Sequence, residues 1–465
     1  MKKLMILMTT GFFFMICAAL LWQWKTFSES KPVSVGSPEG ITHVAAVKLD
    51  ADGFSIEQTY SNLDSELKYH AILPAKAIGV TCSNDKGKPC GNEWTKTNKL
   101  VFEYSIDSPR GSSILLKDWL VVLEKTEIKN TRVEVVDQFF KKGTWAAGLP
   151  QRGYKQLELL HYYVFEGVNP APALYWQEKP LSKRSLQNGI DYYSSRADQL
   201  IYQFDSLEKI GRNQHLTVIL QNNQEAQQGN GLLIAGNQHT EKEIEQLAAE
   251  ALLSAKFRPD EPASASIIDV MASLVIKQEP GDPKSKRLME ELNNNLDAKE
   301  LADFISYFSL AGALDMETLD GYLSKLKGLE TNFFTLISRT DKEVPSLYFT
   351  DPRRVVVNGV EKPGLDVVIK NGRSLYPLAE TMDALGYVTK AGPGLVPLEI
   401  SSAERTYAFN LNNNTFTIDG ESFGLLKKPF QQLNGEWYLE KEWLKAIFKI
   451  GIIEKQGRIL LEQSH

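Results

Sequence analysis

Between Lys3 and Lys25 the chain carries no charged residue. Positions 4–24 are 21 uncharged and mainly apolar residues, enough, at about 1.5 Å per residue, for a helix to cross a hydrocarbon layer of about 30 Å. A secretory signal has a shorter apolar centre and a small-x-small cleavage site, whereas this stretch ends in Leu21-Trp22-Gln23-Trp24-Lys25. The expectation is an uncleaved signal anchor over residues 1–30, with Trp22 and Trp24 at the interface and Lys2 and Lys3 inside the cell. The expected location is therefore the cell membrane, single-pass, with the bulk of the chain extracellular. A cut near Ser28 or Ser30 would make the protein secreted instead, and either way the residues beyond the anchor lie outside the cytoplasm. Phe14-Met15-Ile16 lacks the small residues that precede a lipidated cysteine, which makes Cys17 a poor lipoprotein site and lipidation a minor alternative.

Residues 31–40 are rich in Ser, Pro and Gly and read as a linker. At roughly 150 residues per domain, the 465 residues leave room for about three folding units. A net charge of -6 excludes a generally basic nucleic-acid binder, and six histidines with three cysteines are little material for metal chemistry. Cys82 and Cys90 flank Ser-Asn-Asp-Lys-Gly-Lys-Pro, a turn-rich loop that can bring the two sulfurs together. In an oxidising compartment the two are expected to form a disulfide.

The expected fold class is multidomain α+β. Residues 41–180 read as a β-sandwich: Leu100, Phe102, Tyr104 and Ile106 alternate with polar residues, as do Phe54 and Ile56. The aromatic residues His161, Tyr162, Tyr163, Tyr175 and Trp176 are expected to pack the core rather than line a sugar site. Residues 181–345 turn mainly helical. Thr240 and Glu243 have capping-box spacing, as do Asp297 and Glu300, and Ile244, Leu247, Ala248, Ala251, Leu252 and Ala255 recur on one helix face. Residues 352–463 return to strands, with Asn358-Gly359, Asn371-Gly372, Asp419-Gly420 and Asn434-Gly435 as hairpin turns. Within them Asn371-Gly-Arg-Ser-Leu-Tyr-Pro-Leu378 and Asn434-Gly-Glu-Trp-Tyr-Leu439 form an internal repeat, each half a hairpin followed by a helix.

This repeat, with Val355-Val-Val-Asn-Gly359 and Ala384-Leu-Gly386, resembles the copper amine oxidase N-terminal-like, or stalk, domain of Gram-positive exported proteins. The resemblance implies an accessory module and no copper chemistry. It departs from the pattern in the second half, where Glu440 stands for Pro377 and Lys449 for Gly386. Trp437, Trp443 and Phe448 are then core residues.

The order of residues 40–330, a β-rich region, a strand, a Gly-rich segment and an amphipathic helix, resembles gluzincin-type zinc aminopeptidases. In that family the helix carries His-Glu-x-x-His, whose imidazoles hold zinc while the Glu handles the water proton. Here Ala249-Glu250-Ala251-Leu252-Leu253 stands in its place. The resemblance thus implies a degenerate peptidase-like domain, a pseudoenzyme, with Glu250 an ordinary helix glutamate. His215 and His239 have no partner at ligand spacing. The sequence has no G-x-S-x-G elbow, P-loop or G-x-G-x-x-G fingerprint.

These readings lead to the expectation of a non-enzymatic, membrane-anchored extracellular binding or scaffold protein of the bacterial cell envelope. It would have no catalytic, metal-binding or cofactor-binding residue and no cofactor. Its partner would be a cell-envelope protein or cell-wall polymer, it would meet the membrane through the N-terminal helix, and it would bind no nucleic acid. The alternative is a cell-surface hydrolase of peptides or cell-wall polymers, using an unrecognised site in the middle domain.

Overall fold

The computed structural model describes residues 40–463 except short stretches at 51–52, 91–93, 96, 108–110, 125, 141, 197–201, 212–213, 223–224, 258–262, 340–342, 393–397, 411 and 413. The chain divides into two compact units. One comprises the described part of Met1–Ser108 with Trp119–Phe139 and Lys155–Pro170, the other Pro109–Asp118, Phe140–Tyr154 and Ala171–His465.

In the first unit the strands lie in the order His161–Gly167, Ile128–Asp137, Ile41–Asp50, Gly53–Ser61, Lys99–Ile106 and Ile78–Asn84. Ile41–Asp50 runs parallel to Ile128–Asp137, and the other pairings are antiparallel. Period-two alternation in Lys99–Ile106 buries Leu100, Phe102, Tyr104 and Ile106 on one face. That face also holds a polar network around Gln58. Its amide nitrogen lies 2.8 Å from His43 Nε2 and donates to Val121 O at 3.1 Å, while its oxygen accepts from Val121 N at 2.7 Å and from the Tyr104 hydroxyl. His43 stacks on Tyr60 with ring centroids 4.4 Å apart. Most buried polar groups in a core are paired in this way. At the edge, Cys82 and Cys90 form the disulfide, with Cα atoms 5.3 Å apart, and Cys90 N donates to Cys82 O at 3.0 Å.

The second unit opens with a three-stranded sheet of Thr144–Ala147, Leu174–Gln177 and Ser113–Leu116. A five-stranded mixed sheet follows, in the order Ser182–Ser185, Ile190–Ser194, Leu216–Gln221, Leu232–Gly236 and Gln227–Gly229. Leu216–Gln221 is parallel to both neighbours, and its leading residues are all buried, which is why they are apolar apart from Thr217.

Six helices come next: α1 (Glu241–Ser254), α2 (Ala265–Ile276), α3 (Pro283–Asn295), α4 (Ala298–Leu310), α5 (Met316–Lys327) and α6 (Phe333–Arg339). Both expected capping boxes form, at Thr240 with Glu243 and at Asp297 with Glu300. Ile244, Ala248 and Leu252 of α1 join Leu216, Val218 and Leu233 of the sheet in one core with α2. Each fully buried leucine there contributes about 2 kcal/mol.

After α6 the chain returns to short sheets. The hairpins Val368–Lys370/Arg373–Pro377 and Phe430–Leu433/Glu436–Glu440 are each followed by a helix, Leu378–Ala384 and Lys441–Ala446. Asn371 (φ 50°) and Gly372 (φ 73°) take the left-handed conformation that a two-residue hairpin turn needs, as do Asn434 (φ 48°) and Gly435 (φ 94°). Tyr376 pairs with Leu439, its equivalent in the other half of the repeat, so the two halves meet antiparallel at equivalent residues.

Multidomain α+β is therefore the architecture. The N-terminal helix expected at 4–24 lies outside the described residues. Among the described residues no helix is long and apolar enough to cross a membrane.

Candidate functional site

The helix α1 places Gln246 and Glu250 one turn apart on the face that meets α2. The Gln246 amide nitrogen is 2.9 Å from Glu250 Oε1, 3.0 Å from Asp269 Oδ1, 3.3 Å from Ser273 Oγ and 3.4 Å from Asp269 O. Ser273 Oγ also lies 3.4 Å from Asp269 Oδ1. The amide oxygen of Gln246 is buried and has no partner among the described residues. Glu250 and Asp269 are each partly exposed, so both remain within reach of solvent. Burial pushes the Glu250 carboxyl above the usual carboxylate range, the negative charge of Asp269 adds to the rise, and the Gln246 bond opposes it. The site is thus a pair of carboxylates on two packed helices, tied through one amide.

Ala249 and Leu253, the two apolar positions beside Glu250, are fully buried in the core of the second unit. Sequence reasoning singled out Glu250 but not its partners. The spacing of Gln246 one turn earlier was readable on a helix, whereas Asp269 is on a different helix and carries no local signal.

A second polar cluster surrounds Asp191. Its carboxylate accepts from Ser185 Oγ at 2.6 Å and pairs with Lys183 Nζ at 2.7 Å. His215 Nε2 is 3.8 Å from the same carboxylate and 3.0 Å from Thr217 Oγ1, and the Thr217 hydroxyl donates to Ala147 O at 2.6 Å. Burial holds the His215 imidazole down to about 4, with Asp191 opposing and Lys183 assisting. The serine here bonds the carboxylate rather than the imidazole, which is not the order a nucleophilic triad requires. This cluster braces the start of the Leu216–Gln221 strand.

The other residues singled out by sequence are dispersed. His161, Tyr163, Tyr175 and Trp176 are buried, the first two in the first unit and the last two in the three-stranded sheet of the second. Trp176 stacks on Phe140 with centroids 3.9 Å apart. His239 sits beside the N-terminus of α1, 3.8 Å from Glu243. Phe448 is buried in the C-terminal core, with Trp437 and Trp443 packed against it. Among the described residues no group of three or more His, Cys, Asp or Glu is placed to hold a metal ion.

No family model matches the chain, and neither does any curated protein. Among solved structures it is similar to an M1 zinc metallopeptidase from Deinococcus radiodurans, at 11% identity over 66% of this chain and 95% of that one, with a TM-score of 0.47. It is also similar to a two-domain M1 zinc metallopeptidase with bound L-tryptophan, at 12% identity over 68% and 97% of the chains and a TM-score of 0.47. A third is Legionella pneumophila aminopeptidase A in complex with aspartic acid, at 10% identity over 84% and 57%, with a TM-score of 0.44. These neighbours are of the kind to which the order of residues 40–330 was likened, and none is a copper amine oxidase stalk. The three are named as peptidases, in contrast to the expectation of a non-enzymatic binding or scaffold protein and its pseudoenzyme label. Zinc, which two of those structures carry in name, does not fit α1: Ala249 and Leu253 offer methyl groups where two imidazoles would be required.

Proposed function

We propose that the chain is a cell-surface hydrolase of peptides or cell-wall polymers, working through Glu250 and Asp269. The observation that carries the reading is the pair itself. Hydrolysis by general acid and base needs two groups in opposite protonation states at one pH, and here two carboxylates share one amide while burial favours the proton on Glu250. Glu250 gives its proton to the departing amine or hydroxyl. Asp269 takes a proton from the attacking water, whose hydroxide bonds to the carbon being released. The proton returns from Asp269 to Glu250 through solvent, and the cycle closes without a metal.

The uncharged stretch at 4–24, with its flanking lysines and tryptophans, supports attachment to the outer face of the cell membrane by a single pass. The two hairpin-helix halves of the C-terminal region support its reading as a stalk-like accessory module of the copper amine oxidase N-terminal type. In this arrangement the cell-envelope polymer is a substrate.

The test is turnover of a peptide library and of cell-wall fragments by the purified full-length chain. Glu250→Gln and Asp269→Asn should each lower the rate by about 10²- to 10⁴-fold with unfolding unchanged, and a chelator should have no effect. No turnover of either substrate class, or turnover that survives both substitutions, overturns the reading.

A further inference from the structure

Five Asn-Gly dipeptides stand in the chain: Asn188-Gly189, Asn230-Gly231, Asn358-Gly359, Asn371-Gly372 and Asn434-Gly435. Glycine has no Cβ to shield its backbone nitrogen, so that nitrogen can reach the side-chain carbonyl of the preceding asparagine. Three of the five share one backbone geometry. Asn358, Asn371 and Asn434 have φ of 47°, 50° and 48°, and the glycines after them 83°, 73° and 94°. All three asparagines are exposed. Backbone conformation and access therefore do not separate them.

Their side chains do. Asn434 Oδ1 accepts from Ser346 N at 2.7 Å, and its amide nitrogen lies 3.4 Å from Ser346 O. Asn358 Oδ1 accepts from Gln463 N at 3.2 Å. Asn188 is buried and donates to Phe204 O at 3.0 Å, and Asn230 also has an interaction partner. Of the three that share the turn geometry, the Asn371 side-chain amide alone has no partner among the described residues, and its backbone N–H donates to Asn295 Oδ1 at 3.1 Å. A hydrogen-bonded side chain must break its bonds before its carbonyl carbon can swing onto the next nitrogen. Asn371 has none to break.

The geometry points to Asn371 as a self-modification site, a deamidating switch at the joint between α3 and the C-terminal hairpins. The Gly372 nitrogen, losing its proton, bonds to the Asn371 side-chain carbonyl carbon. The bond from that carbon to the amide nitrogen breaks, and ammonia leaves. Water then opens the five-membered imide to aspartate or isoaspartate, so one amide and one water give one carboxylic acid and one ammonia.

The position gives this chemistry a consequence. The neighbouring Lys370 Nζ pairs with Glu291 of α3 at 2.6 Å and lies 3.2 Å from Leu347 O, while Glu291 also accepts from Leu347 N at 2.8 Å. A carboxylate at position 371 competes for Lys370 and repels Glu291. The isoaspartate product also adds a carbon to the main chain inside a two-residue turn, which displaces the N–H bonded to Asn295. The modification thus loosens the joint, and it does so irrespective of any hydrolytic activity.

The test is incubation of the full-length chain at mildly alkaline pH, with peptide mapping that separates asparagine, aspartate and isoaspartate at all five sites. In the folded chain the product is expected at Asn371 several-fold faster than at Asn358 or Asn434, and in urea the three rates should converge. Equal rates at the three sites in the folded chain, or an order among them that persists in urea, would overturn the assignment. Asn371→Asp should raise hydrogen exchange across residues 343–350, while Asn371→Gly, which suits the turn and cannot react, should leave exchange there as in the unmodified chain. Exchange unaltered by Asn371→Asp would refute the switch.

Discussion

Glu250 and Asp269 share one hydrogen-bond donor: the Gln246 amide nitrogen lies 2.9 Å from the first carboxylate and 3.0 Å from the second. One N–H₂ group supplies both contacts, so the amide holds the carboxylates close and leaves their repulsion partly uncompensated. Burial first, and then that repulsion, favours a proton on Glu250.

The pH dependence of turnover depends on this proton. Glu250 acts as an acid only while protonated, and its pKa is raised, so activity should persist above the usual carboxylate range and then fall as pH climbs past the raised value. Asp269→Asn removes the charge and should move this alkaline limb to lower pH. A pH–rate profile of the two proteins checks it, and limbs that coincide would separate Glu250 from the titration.

Acid should destabilise the first unit through His43. Burial holds its imidazole down to about 4, below the ordinary 6.5, so the folded state favours the neutral ring. The stability is intact above pH 6.5 and is lost as pH falls from there towards 4, by up to about 3 kcal/mol. Urea unfolding at about pH 7 and about pH 4.5 should show this loss, and His43→Phe should reduce it.

Lys256 holds the end of α4. Its buried ammonium donates to Ser309 O at 2.5 Å, Ala311 O at 3.0 Å and Phe308 O at 3.2 Å. Lys256→Met fills similar space but strands three carbonyls, and should cost about 2–4 kcal/mol. The urea midpoint of the second unit measures it.

Reduction of Cys82–Cys90 should act locally. The loop it closes is short, so the chain-entropy contribution is only about 2–3 kcal/mol. Hydrogen exchange should rise in the Ile78–Asn84 and Lys99–Ile106 strands after reduction and stay unchanged in α1 and α2.

What the sequence determined by itself is local. Alternation in Lys99–Ile106, the capping boxes at Thr240 and Asp297, the Asn-Gly turns and the cysteine pair are each written in a few neighbouring residues, because backbone geometry and nearest-neighbour bonds decide them. The same local reading set Ala249 and Leu253 where metal ligands would be needed, and left Glu250 an ordinary glutamate. Only the tertiary structure decided otherwise. Packing α1 against α2 brings Asp269 to the Gln246 amide that Glu250 already uses, and burial then changes the acidity of a side chain whose own sequence neighbours say nothing of it. The Asp191 cluster and the three carbonyls around Lys256 came from the same source. Desolvation and long-range charge depend on what surrounds a group in space, and chain order does not encode that in any short pattern.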